Sequence, residues 1–173
     1  MIVTAQARPG GRASASPAMN VLFVCEDCSL ALMAESILAT LGDGRFRAYS
    51  AGYGAACTPN GAVLEFLAGH HMRVEGLRPK SLERLRRGDP PPMDFVITLA
   101  DVGPERFADW PGAPFIAHWN VIDGGDDLRD EATLRDVFWT LMRRIKIFVS
   151  LPQGALTRRV LERRAVTLQA GYL

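Results

Sequence analysis

Lysine is nearly absent from this chain: it occurs only at Lys80 and Lys146, so almost all of the 20 cations are arginines. Such a bias follows genomic base composition as easily as guanidinium chemistry, and it identifies no function. With 19 acidic residues opposite those cations the net charge is +1, and no excess of one sign exists to draw in nucleic acid or a membrane surface. Cysteine is also scarce. Cys25, Cys28 and Cys57 are odd in number and too few for a secreted disulfide scaffold, so a reducing cytoplasm is the expected setting. No apolar run approaches the roughly 20 residues that a membrane-spanning helix needs. Residues 1–18 lack the apolar centre of a secretory signal and are rich in Gly, Ala, Ser and Pro. They are expected to form a disordered arm, with Met19 as an alternative start.

What remains is ordinary globular material. Of the 173 residues 48% are apolar and 23% charged, enough to build one core in one domain, expected over residues 19–150. From Met19 onward short apolar runs alternate with helical periodicity, the pattern of βαβ units around a parallel sheet. Strands are predicted at Asn20–Cys25, Phe46–Ser50, Phe95–Leu99 and Pro114–Trp119. A helix is predicted over Ser29–Leu41, capped by Ser29 and burying Leu30, Met33, Ile37 and Leu41. Pro59 is expected in the first turn of a second helix, Pro79 and Ser81 at the start of a third ending near Arg87, and Asp127–Val149 form a long fourth. A short helical turn is expected at Glu105–Asp109. The fold class is therefore α/β, a doubly wound four-stranded parallel sheet with helices on both faces. Residues 151–173, with Arg158, Arg159, Arg163 and Arg164 against Glu162, read as a solvated basic helical tail.

In open α/β sheets ligands bind beyond the carboxyl ends of the strands, where a strand feeds a helix whose first amides point outward. Cys25 occupies such a place, and a thiol at a helix N-terminus is the usual origin of a nucleophilic cysteine. Cys25-Glu26-Asp27-Cys28 is also a C-x-x-C at a strand-to-helix junction, the position of a redox dithiol, although its two acids disfavour a thiolate. Those cysteines with Glu26, Asp27 and Asp123 do not supply four ligands of good geometry, so no metal is expected, and no cofactor. His118 and Trp119 are read as strand-end packing residues, His70 and His71 as the close of a helix, and Cys57 as chemically idle.

The order of landmarks resembles a known family. VLFVC, then Met33-Ala34-Glu35, Tyr49-Ser50-Ala51-Gly52, PNGAV, FVITL and His118–Asp123 (HWNVID) are similar to the low-molecular-weight protein tyrosine phosphatase superfamily. The FVITL and HW strands are more similar to its thioredoxin-coupled arsenate reductases. The resemblance covers about Met19 to Phe148 and implies strand order 2-1-3-4 with an oxyanion-binding loop after the first strand. It implies a nucleophile matching Cys25, a general acid matching Asp123, and a phosphorylated or oxyanion substrate. By position the binding loop would be Glu26, Asp27, Cys28, Ser29, Leu30 and Ala31.

Against that pattern the loop is altered. The family's arginine, which holds the oxyanion, falls on Leu30 or Ala31 depending on the anchor, and Cys25 to Met33 is one residue shorter than the family spacing. Glu26 and Asp27 set two carboxylates where a dianion would sit. Asp123 is followed by Gly124 instead of proline, and Leu99-Ala100-Asp101 carries no shuttle cysteine. Loss of one oxyanion donor alone costs about 10²-fold or more in rate. The expectation is a divergent family member with a degraded loop, weakly active or inactive. The alternatives are a Cys25/Cys28 dithiol protein and a non-catalytic module that binds a protein partner.

Overall fold

A computed structural model describes residues 17–26, 28–54, 60–100, 110–122 and 127–156. Four strands, β1 (Met19–Cys25), β2 (Phe46–Gly52), β3 (Phe95–Thr98) and β4 (Phe115–His118), form one sheet of order β2-β1-β3-β4. Every pairing is parallel. The expected class and strand order are thus met. Helices α1 (Cys28–Leu41), α2 (Gly61–Gly69), α3 (Leu82–Arg87) and α4 (Glu131–Ser150) connect or cover the strands, and a 3-10 turn follows at Gln153–Leu156. No helix among the described residues is long and apolar enough to cross a membrane.

β1 is central because it is apolar on both faces. Val21, Phe23 and Cys25 pack into one cluster with α1, α2 and α4, while Leu22 and Val24 pack on the other side with Leu82 of α3, Met93, Val96 and Trp110. Residues Val21 to Val24 are fully buried, each such side chain stabilising the fold by about 1.5–3 kcal/mol relative to exposure. The larger cluster is closed by Phe138, Leu141 and Ile145 of α4 and by Trp119, whose ring meets Phe23 and Phe148.

α1 departs from the expected one-sided stripe: every residue from Cys28 to Leu38 is buried. A helix enclosed on all sides must satisfy its polar groups internally. Ser36 Oγ donates to the Arg73 carbonyl at 2.6 Å, and Ser29 Oγ accepts the Asn60 amide at 2.9 Å. Ser29 therefore lies inside the helix and is not its cap. In α2 the cap is Asn60, whose side chain accepts the Ala62 amide, and the helix begins at Gly61, whereas Pro59 lies outside the described residues. Ser81 and Asp130 cap α3 and α4 through the Arg84 and Thr133 amides. Arg45 donates to the Val149 and Leu151 carbonyls at 2.8 Å each, placing a cation on the C-terminal end of α4. The turn expected at Glu105–Asp109, the Cys57 turn and the basic tail beyond Leu156 lie outside the described residues.

Candidate active site

The strand ends are aligned by register. Cys25 pairs with Gly52, and Val24, Thr98 and His118 form a row across β1, β3 and β4. The chain leaves this edge and is pinned there: the Tyr53 amide donates to the Cys25 carbonyl at 3.0 Å, and the Leu99 amide to the Val24 carbonyl at 3.0 Å. Residues 26 and 27 alone connect β1 to α1. Glu26 is exposed, and its carbonyl lies so close to Gly54 that a Cβ there would stand 2.8 Å from the oxygen. Glycine at position 54 is what allows the two loops to touch.

The residues assigned from sequence to the binding loop divide in two. Glu26 lies in the connection, whereas Cys28, Ser29, Leu30 and Ala31 form the first turn of α1 and are buried, Leu30 at 0% exposure. Cys25 is 3% and Cys28 2% exposed, and neither is in a disulfide. Asp27 and Asp123 lie outside the described residues. Among the described residues no group of three or more His, Cys, Asp or Glu side chains gathers closely enough to hold a metal ion.

Two features near the strand ends were not foreseen. Glu35 of α1 is buried and accepts a short hydrogen bond from Ser50 Oγ of β2. Burial pushes its carboxyl above the ordinary range, opposed by the Ser50 hydrogen bond and by the positive charge of Lys80. Nothing in the one-dimensional pattern marks this pair, because Glu35 sits on a helix whose every face happens to be covered. The second feature is His118. It is exposed and not a packing residue, and its Nδ1 lies 2.7 Å from the Oγ1 of fully buried Thr98. That hydrogen bond fixes the ring at the carboxyl edge of β4, and the alternation Phe115-Ile116-Ala117-His118 was the available signal, since it sets His118 on the face opposite Ala117.

The family model for low molecular weight phosphotyrosine protein phosphatases matches residues 20–110. The fold is similar to that of a thioredoxin-dependent arsenate reductase from Corynebacterium glutamicum, with 25% identity and a TM-score of 0.58 over 80% of this chain. That match spans 65% of the corynebacterial chain, just under two thirds of its length. An arsenate reductase from Archaeoglobus fulgidus matches 76% of this chain and 99% of its own at 23% identity and a TM-score of 0.58. A low molecular weight protein tyrosine phosphatase from Streptococcus pyogenes matches 80% of this chain and 97% of its own at 12% identity, also with a TM-score of 0.58. No curated protein matches. Because the family model covers more than half of the sequence, the chain belongs to the low molecular weight phosphotyrosine protein phosphatase family.

Proposed function

We propose that this chain is a divergent member of its family in which the oxyanion loop is degraded, leaving it weakly active or inactive toward phosphomonoesters and arsenate. The observation that carries the reading is the pair Leu30 and Ala31. One or the other, depending on the anchor, stands where the family resemblance calls for an oxyanion-holding arginine, and both are fully buried in the first turn of α1 behind a connection of residues 26 and 27 alone. A backbone that short has few amides to arrange around an anion, and the exposed Glu26 adds a like charge. The nucleophile and general acid by resemblance remain Cys25 and Asp123, and the substrate by resemblance is phosphorylated or an oxyanion. The test is turnover of a small aryl phosphate beside a Cys25→Ser control, with arsenate as competitor. Absence of turnover, with no protection of Cys25 from alkylation by phosphate, supports the reading. Turnover that disappears in Cys25→Ser overturns it.

A second reading rests on a different observation: Cys25 and Cys28 flank that same connection and are both in thiol form. In this reading they are a dithiol that closes to a disulfide, losing two electrons and two protons to an external disulfide oxidant. Denaturing alkylation after equilibration with oxidised glutathione, read by intact mass, separates the two. Joint loss of both labels at Cys25 and Cys28 favours the dithiol; full labelling removes it.

A further inference from the structure

A basic segment of the described fold lies beside β2, one step beyond the Gly52 that pairs with Cys25. Between residues 78 and 91 stand five of the 20 cations against two acids, a local net charge of +3 in a chain whose total is +1. This segment closes the outer edge of the sheet: the Gly52 amide donates to the Lys80 carbonyl at 2.9 Å, and Gly52 bridges to Ser81. It then turns back through α3 and borders an open pocket of about 500 Å³, within the roughly 300–1,000 Å³ usual for small-ligand sites.

The arginines here fall into two groups. Arg86 stacks over the Trp110 ring at 5.1 Å, and Arg87 pairs with Glu83 at 3.2 Å; neither lines the cavity. Arg78 and Arg84 do line it, and among the described residues neither guanidinium has an ion pair, a hydrogen-bond acceptor or an aromatic partner. Lys80 lines the same cavity, as does one acid, Asp89. The lining therefore carries three cations against one carboxylate, a net charge of +2. Leu85, Gly88 and three prolines make the rest of the wall. Asp89 holds φ at +50° immediately before Pro90, a backbone state that β-carbon sterics and the following ring both disfavour. Such strain persists where the surrounding fold over-determines it, and it is common at ligand sites.

We infer that this cavity is a binding site for a small organic phosphate monoester. A monoester carries about −1.5 to −2 at neutral pH and offers three acceptor oxygens, which matches the net charge and the two guanidinium forks. The apolar wall accommodates its organic part. The site is independent of the proposal for Cys25, since no residue from the strand-to-helix junction lines it.

The experiment is titration of the full-length protein with phenyl phosphate, followed by calorimetry and by backbone amide shifts, in the Cys25→Ser background so that no turnover intervenes. Saturable binding is expected, weakening as salt is raised. The Arg78→Ala, Arg84→Ala double variant, at exposed positions, should weaken it at least tenfold with an unchanged melting temperature. Succinate, a dicarboxylate of the same charge, should bind more weakly. Absence of binding, equal binding of succinate, or binding indifferent to the double variant overturns the inference, as do shifts centred on residues 25–31. Phosphatase turnover by the wild-type chain would sink the proposal for Cys25 and leave this one standing.

Discussion

Ser50 of β2 donates a hydrogen bond to the carboxyl group of Glu35 on α1, and both residues are buried. The bond joins the central helix to the strand that neighbours β1, and it is the only described polar link between those two elements' side chains. Its cost and its benefit both have measurable signs.

Glu35 has its carboxyl pKa raised by burial above the reference of 4.5. The folded chain therefore binds this proton more tightly than the unfolded chain does, and linkage requires stability to fall as pH rises from about 4.5 through the folded value. Glu35→Gln keeps an acceptor for Ser50 and removes the buried charge. The expected outcome is a stability difference that moves in favour of Glu35→Gln as pH increases from 4.5 to 8. Urea denaturation of both proteins across that range checks it, and a difference that is flat or moves the other way contradicts the assignment.

Cys25 and Cys28 are nearly inaccessible. In a Cys57→Ser background, native-state alkylation of these two thiols should be slower than in denaturant by orders of magnitude and should speed up with sub-denaturing urea, because reagent reaches them only through opening of the fold. Rapid labelling of Cys25 alone in buffer would mean that the β1–α1 connection opens by itself.

Leu30→Arg places the family's residue type at one of the two positions the resemblance offers, and that position is fully buried. An unpaired guanidinium there should destabilise the fold by roughly 3 kcal/mol or more, and no aryl phosphatase activity should appear. A stable Leu30→Arg protein that gains phosphate binding would show that the first turn of α1 unwinds readily into an anion-binding loop.

Phe138 of α4 is fully buried and meets Phe66, His70 and Trp139. Phe138→Ala should cost about 3–5 kcal/mol. Gly54→Ala should also destabilise, through the clash with the Glu26 carbonyl. Relief of that clash requires the β1–α1 connection to move, so the amide shifts of Gly54→Ala should spread to residues 25–28 while those around Phe138 stay in place.

Much of the scaffold was readable in one dimension. β1, β3 and α4 are long apolar or amphipathic runs whose burial depends on composition alone, and their positions agree with the sequence pattern to within a few residues. The helix starts were less legible. Ser29 has the composition of a cap, but its hydroxyl is engaged by the Asn60 amide from another element. A local rule has no access to a partner at a separation of 31 residues.

The sequence by itself determined the class of the protein: apolar runs of strand length alternating with helical periodicity can bury their surfaces only as a covered parallel sheet, and six landmarks in order marked the family. Tertiary structure decided which side chains meet around the strand ends. It placed Leu30 inside the core and not along a loop, set Glu35 against Ser50, and turned His118 outward onto Thr98. It also gathered Arg78, Lys80 and Arg84 around one cavity. The physical reason is that burial and electrostatics are sums over neighbours in space, and residues brought together by the sheet are far apart along the chain.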